Sequence, residues 1–187
     1  NQKYLNTRNV IFSKSVFNFS KKNINFLIDN LKKKRGKGKI IVKKSKFFFK
    51  DKDKTIVIFP INNFEFYYSN DKIANIVNFS GLAFNSKFVF NLTKEFNDEK
   101  EINFNLKFPA ANLSIYNSLK NIDKDGIKFK SLNTTNFLGS EIKTEINFKE
   151  NMLNFVSRKT NIPNNNLEYS GLINFKPFYL TSEISIE

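Results

Sequence analysis

The sequence contains no histidine, no cysteine and no tryptophan among its 187 residues. Without histidine or cysteine, the chain lacks the usual ligands of zinc, copper, haem and iron–sulfur sites. It also lacks the Ser-His-Asp and Cys-His pairs of nucleophilic catalysis, and it cannot form a disulfide scaffold. We therefore predict a protein that is not an enzyme and that uses no cofactor.

Long apolar runs are absent as well. No stretch of about 18 apolar residues exists that would predict a membrane-spanning helix. The sequence begins without methionine and ends inside an alternating pattern. We expect it to be a fragment of a longer chain.

Arginine is scarce, although the net charge is +14. Lysine outnumbers arginine 28 to 3, and arginine is the preferred reader of phosphates and base edges. Residues 1–60 hold 17 basic and 3 acidic residues, whereas residues 61–187 hold 14 of each. Lys, Asn, Ile and Phe share A/T-rich codons, so the base composition of a genome explains the excess. The charge therefore argues only weakly for nucleic acid.

Period-two alternation is the dominant pattern. In residues 102–108, four apolar side chains alternate with Asn103, Asn105 and Lys107. Such alternation predicts strands with one apolar and one wet face, which favours antiparallel pairing. Clusters of Asn, Asp, Lys, Gly and Pro separate the runs at about the spacing of a meander.

One segment has a helical period instead. In residues 20–35, apolar residues recur at i, i+3, i+4 and i+7, with Ser20 as the N-cap and Gly36 as the stop. We predict a mainly β chain: an elongated, curved antiparallel sheet with one short amphipathic helix. Residues 1–36 would form a strand and this helix, and residues 37–187 the antiparallel strands of the same single module.

A basic run follows the predicted helix. It lacks the spacing of a phosphate-binding P-loop. Three interpretations stay open: a solvated helix end and turn, a contact with anionic lipid head groups at a membrane surface, or a nucleic-acid site. The candidate head-group contacts are Lys32, Lys33, Lys34, Arg35, Lys37 and Lys39.

Two tight carboxylate pairs occur, Asp51 with Asp53 and Asp123 with Asp125. Neither is followed by the further oxygen ligands and the distal Glu of a calcium loop. We interpret both pairs as turns, and we predict no metal site.

Phenylalanine is abundant, with 23 residues, and alternation places most of them on one face. This face is either an ordinary closed core or an open groove that shields acyl chains, and the residues alone favour neither. The candidate lipid-facing residues are Phe84, Phe88, Phe90, Ile102, Phe104, Leu106, Phe108, Ile173, Phe175, Leu180, Ile184 and Ile186.

Several stretches resemble AsmA-like proteins of Gram-negative bacteria. Residues 38–51 resemble that family's recurrent hairpin, in which two strands flank a small polar residue and end at an Asp. Residues 79–84 and 169–175 resemble its strands, which contain a Gly and continue as an alternating apolar run. Residues 106–109 followed by 113–115 fit the same pattern.

The resemblance implies a periplasmic protein, anchored in the inner membrane through a segment outside this sequence. It implies an apolar β-groove that takes part in phospholipid transport or outer-membrane assembly, as in AsmA- and TamB-type proteins. The partner would then be phospholipid or another acyl-chain lipid. Two alternatives stay open, a structural or adhesive β-sandwich or solenoid with a closed core and a basic nucleic-acid-binding module.

Overall fold

Strands make up almost all of the structure. The computed structural model describes residues 9–19, 31, 33–34, 36, 38–51, 54–96, 101–124, 127–163 and 165–186. The chain divides into two compact units, Asn1–Asn97 and Asp98–Glu187, a boundary that the sequence did not mark. The prediction of a mainly β, mostly antiparallel chain is confirmed.

The first unit is built around a four-stranded antiparallel meander, β3 to β6. Two short strands, β1 and β2, precede it and both pair parallel with β3. The strands are β1 (Asn9–Ser13), β2 (Val16–Phe19), β3 (Lys39–Asp51), β4 (Lys54–Ser69), β5 (Ala74–Ala83) and β6 (Ser86–Glu95).

The second unit is an antiparallel meander of seven strands, each paired with the next along the chain. Its last turn contains Lys176-Pro177, which is a cis peptide. The elements are β7 (Ile102–Phe108), the 3-10 turn Pro109–Ala111, β8 (Leu113–Lys124), β9 (Ile127–Phe137), β10 (Ser140–Lys149), β11 (Met152–Asn161), β12 (Leu167–Phe175) and β13 (Phe178–Ile186).

The predicted helix over residues 20–35 lies almost wholly outside the described residues, so it stays a prediction. Its C-terminal end is placed by Asn75, a fully buried residue at the start of β5. The amide nitrogen Nδ2 of Asn75 donates to the carbonyl oxygens of Leu31 and Lys33, at 3.1 and 2.8 Å. Within the described ranges, no helix is long and apolar enough to cross a bilayer.

The two-residue alternation of side chains is interrupted at three neighbouring places in the sheet of the first unit. One lies between β1 and β2, one within β3 and one within β4, all at the same level. Lys14 and Lys44 both adopt left-handed backbone conformations, with φ of 53° and 47°. The register of β1, β2 and β3 places them side by side. In β4, the pairing with β5 shifts by one residue between Ile61 and Asn63. After each interruption, the side chains lie on the opposite face from the one that strict alternation would give them. Because the three interruptions lie side by side, neighbouring side chains still share a face.

Ser45 holds this phase change in place. Its hydroxyl is buried, accepts a hydrogen bond from the backbone N–H of Ser15 at 3.0 Å, and donates to the carbonyl of Lys43 at 2.8 Å. The side chain thereby supplies bonds that the interrupted β1–β3 and β2–β3 ladders would otherwise lack. As a result, side chains at odd spacings, such as Phe12 and Phe17, lie on the same face.

Two glycines are required by close packing, one in each unit. Each stands in an aromatic-Ser-Gly-Leu stretch, residues 79–82 and 169–172. A Cβ on Gly81 would lie 2.3 Å from the carbonyl oxygen of Pro60, and one on Gly171 would lie 2.3 Å from the ring of Phe155. The Phe155 ring therefore packs directly on the bare backbone of the neighbouring strand, as aromatic rings do over glycines in sheets.

Substituting Gly81 tests this packing. We expect Gly81→Ala to lower the free energy of unfolding by about 2 kcal/mol, because the clash is with backbone. The matched control is Gly36→Ala, since no atom lies within 4 Å of its added Cβ. The control should stay within about 0.5 kcal/mol of the wild type in urea denaturation. Equal effects of the two substitutions would contradict the close approach.

Candidate functional site

The apolar face of the first unit carries a cluster of aromatic rings, one from each of its six strands. Neighbouring rings have centroids 4.9 to 6.3 Å apart, mostly in edge-to-face geometry. Such pairs stabilise a sheet beyond the area that they bury. This phenylalanine cluster consists of Phe12, Phe17, Phe47, Phe64, Phe79 and Phe88.

The six phenylalanines of the cluster differ in solvent exposure. Phe88 is buried, whereas Phe12 on β1 is exposed and the four rings between them are half-buried. Phe90 pairs directly with Phe79, so it lies on the same face. Phe88 and Phe90 therefore share one face, and that lipid contacts them stays a prediction.

Phe84 is a correction. It was predicted to share the apolar face, but it lies in the two-residue turn between β5 and β6 and its side chain is 93% exposed. Phe84 and Asn85 both have positive φ, at 52° and 60°, which is the geometry of a type I′ hairpin. The even spacing of Phe84, Phe88 and Phe90 hid the turn, because alternation continues through a two-residue loop.

The second unit also has one apolar face, and all nine of its predicted residues lie on it. Residues that pair directly share a face, and the ladders link β7 to β13 without a change of face. Ile184 and Ile186 are each 68% exposed. The nine residues are Ile102, Phe104, Leu106, Phe108, Ile173, Phe175, Leu180, Ile184 and Ile186.

A row of polar side chains crosses the middle of this apolar face, and the sequence analysis missed it. The register aligns one uncharged polar residue from each of four consecutive strands, β8 to β11, and Tyr169 of β12 adjoins them because its backbone N–H donates to Oγ of Ser157 at 3.0 Å. In the sequence, the only sign of this row is that these polar residues occupy positions that alternation assigns to the apolar face. This polar row consists of Asn117, Asn133, Thr144, Ser157 and Tyr169.

Hydrogen bonds hold most side chains of the polar row in place. The hydroxyl of Ser131 donates to Oδ1 of Asn117 at 2.8 Å, and that of Thr135 donates to Oδ1 of Asn133 at 3.0 Å. The hydroxyls of Thr144 and Tyr169 bond across the intervening strand β11. These bonds fix the orientation of the side chains and make the row a defined polar track.

The opposite face of the second unit is polar and centres on Glu145. The carboxylate accepts from Nζ of Lys130 at 2.9 Å and from Nη2 and Nε of Arg158 at 2.7 and 2.9 Å. These partners lie diagonally across from it on β9 and β11. The hydrogen bonds from Lys130 and then Arg158 lower the pKa of Glu145 from 4.5 to about 2.

The lowered pKa of Glu145 predicts a pH-dependent stability. The folded state favours the carboxylate, so its contribution is full above about pH 4.5 and is lost as the pH falls towards 2. Because the partners are largely exposed, we expect Glu145→Gln to cost only about 1 kcal/mol at pH 7.

Urea denaturation at pH 7 and pH 2.5 measures this difference. The gap between wild type and Glu145→Gln should close at the lower pH. Glu150→Gln, in the exposed turn after β10, is the control and should match the wild type at both values. A gap that is equal at both pH values would contradict the ion-pair account.

Three of the six basic candidates lie within the described residues, and two of those three lie on opposite sides of β4. Lys32, Arg35 and Lys37 lie outside the described residues, whereas Lys33, Lys34 and Lys39 are exposed. The ammonium of Lys34 lies 4.9 Å from the ring centre of Tyr68, and that of Lys39 lies 4.4 Å from that of Tyr67. Consecutive strand residues point to opposite faces, so these two lysines flank β4 on opposite sides.

A cleft of about 970 Å³ lies where β11 and β12 diverge beyond the Val156–Ser170 pair. Its lining includes Glu168 and Glu183, together with Glu141 bonded to Lys143 at 2.8 Å. In the described part of the chain, no three acidic, histidine or cysteine side chains gather as metal ligands.

The two carboxylate pairs are described only in part. Asp53 and Asp125 lie outside the described residues, so the turn interpretation of both pairs stays a prediction. Asp51 is the last residue of β3, and Asp123 lies near the end of β8.

The phenylalanine cluster predicts a contrast between two phenylalanines five residues apart. Phe79 contacts the rings of Phe47, Phe64 and Phe88, so Phe79→Ala should lower the free energy of unfolding by about 2 to 3 kcal/mol. Phe84→Ala should change it by less than about 0.5 kcal/mol, because its side chain is exposed. Chemical denaturation of both variants checks this, and a larger loss for Phe84→Ala would contradict the assignment of the cluster.

The comparisons with known proteins identify no relative. No protein-family model, no curated protein and no solved structure matches the chain. The likeness to AsmA-like proteins therefore rests on the sequence pattern alone.

Proposed function

We propose that this chain is a non-enzymatic segment of an AsmA-like envelope protein that shields the acyl chains of phospholipid on its apolar faces. Its role would be phospholipid transport or outer-membrane assembly in the periplasm. Anchoring in the inner membrane would come from a segment outside this sequence. Under this proposal, the sheet forms an elongated, curved β-groove.

The observation that carries the proposal is the open apolar face of the second unit. Among the described residues, every buried apolar side chain lies in the first unit, and no apolar side chain of β7 to β13 is buried. Large apolar side chains such as Phe178, Ile184 and Ile186 are exposed on it. Contiguous exposed apolar surface of this kind marks interaction sites for lipid, protein or other apolar ligands.

The opposite face supports the same proposal. Glu145 with Lys130 and Arg158, and Glu141 with Lys143, form a hydrated, charged surface on the other side of the same strands. A sheet with one apolar and one charged face shields acyl chains from water while it stays solvated itself. Of the six basic candidates, Lys33, Lys34 and Lys39 are described and exposed, and under this proposal they would contact anionic head groups or a membrane surface.

The nucleic-acid alternative gains less support. A phosphate backbone is bound by basic side chains that share one surface. Lys34 and Lys39 lie on opposite sides of β4, and the second unit pairs Lys130, Lys143 and Arg158 with carboxylates.

Site-specific photo-crosslinking tests the proposed function. A photoreactive phenylalanine analogue at Phe129 would sit on the apolar face of β9, and the same analogue at Leu132 would sit on the opposite face of that strand. The two positions are comparably exposed, at 36% and 45%. We expect the Phe129 position to capture phospholipid in cells and the Leu132 position to capture none.

Two results would sink the proposal. Crosslinks at Phe129 to protein only would favour a closed core or a protein interface. Equal lipid capture at both positions would indicate non-specific contact with membranes.

A further inference from the structure

The polar row divides the apolar face of the second unit into two bands. On one side, the next in-phase positions include Ile115 and Ile142, and on the other side they include Ile146 and Phe155. At about 4.8 Å per strand, five strands give the row a length of about 19 Å. An apolar ligand alone would gain nothing from this row, because it forms no hydrogen bonds with it.

The row contains two side-chain amides whose nitrogens have no acceptor among the described residues. The amide nitrogens Nδ2 of Asn117 and Asn133 donate no hydrogen bond to any residue that the structure describes. Their oxygens are engaged by Ser131 and Thr135, which fixes the two amides. No enclosed side-chain polar atom of the described residues lacks a partner, so neither nitrogen is sealed off. Asn117 and Asn133 pair directly across β8 and β9, so their side chains are neighbours on the apolar face.

The charge of the surroundings narrows the ligand. Asn117, Asn133, Thr144 and the adjoining in-phase positions of β8 to β10 contain no Lys or Arg, whereas Lys159 stands in phase two residues after Ser157 on β11. A phosphate group selects charged donors, above all arginine. Neutral amide donors within apolar surroundings suit an uncharged acceptor, and a carbonyl oxygen is the strongest such acceptor that an acyl lipid carries.

We propose that Asn117 and Asn133 donate hydrogen bonds to an ester carbonyl of an acyl lipid, whose hydrocarbon chain lies on the flanking apolar bands. This assignment rests on the proposed function, because it requires that acyl chains bind the apolar face. It adds a specificity determinant: the ester linkage is recognised by the polar row, and the charged head group lies away from it.

Two fluorescent probes separate the assignment from the proposed function. Diphenylhexatriene is a hydrocarbon without hydrogen-bonding atoms, and methyl cis-parinarate carries one ester. For Asn133→Leu, which keeps the size and removes the donor, we expect the affinity for the methyl ester to fall about three- to tenfold. Its affinity for diphenylhexatriene should stay within about twofold of the wild type.

The control variant is Asn154→Leu, an exposed asparagine on the opposite face of β11. It should leave the binding of both probes unchanged. A second measurement needs no variant: the infrared carbonyl band of ¹³C-labelled methyl ester should move to lower wavenumber on binding to the wild type, as a hydrogen-bonded ester does.

The outcomes are distinct. Binding of diphenylhexatriene together with an ester band at its position in apolar solvent would overturn the assignment and leave the proposed function standing. The same conclusion would follow if Asn133→Leu bound both probes as the wild type does. Failure of the wild type to bind either probe would overturn the proposed function and the assignment with it.

Discussion

The two-residue period of an extended chain is the constraint on which the rest of this structure depends. Side chains that face each other across a ladder lie on the same side of a sheet, so one shift of register in one strand would mix apolar and polar faces. In the first unit, the chain shifts phase at Lys14, at Lys44 and beside Asn62, all at one level. Because the three strands shift together, the phenylalanine cluster continues across the interruption.

Each unit therefore concentrates its aromatic and aliphatic side chains on one face by backbone geometry. Gly81 and Gly171 occupy positions where neighbouring groups lie too close for a side chain. On the other face of the second unit, Glu145 joins β9, β10 and β11 through Lys130 and Arg158. The ion pairs stabilise the solvated face, and large apolar side chains such as Ile184 and Ile186 are exposed on the other face.

Much of this arrangement could be predicted from the sequence. Strict alternation in residues 102–108 and in β12 and β13 assigned nine residues to one face, and they share it because those strands are regular; that lipid contacts them stays a prediction. Phe84 was misplaced, since a two-residue turn with positive φ keeps the alternation and differs only in backbone conformation. The division at residue 97 gave no compositional signal, and the helix over residues 20–35 stays a prediction.

The polar row shows the limit of an argument from hydrophobicity. Asn117, Asn133 and Thr144 are distant in sequence, and only the register of three strands, β8 to β10, brings them into line. Alternation identifies the face of each residue but not the neighbour on the next strand, so the row cannot be read from one strand at a time. The AsmA-like resemblance did not identify it either, because that resemblance concerned apolar positions.

The central claim is that the apolar faces carry phospholipid. Its most direct test is to purify the protein from a Gram-negative envelope without detergent, extract it with organic solvent, and quantify the lipids by mass spectrometry. The account predicts diacyl phospholipid in an amount comparable to that of the protein. Purification of a folded protein that carries no lipid would contradict it.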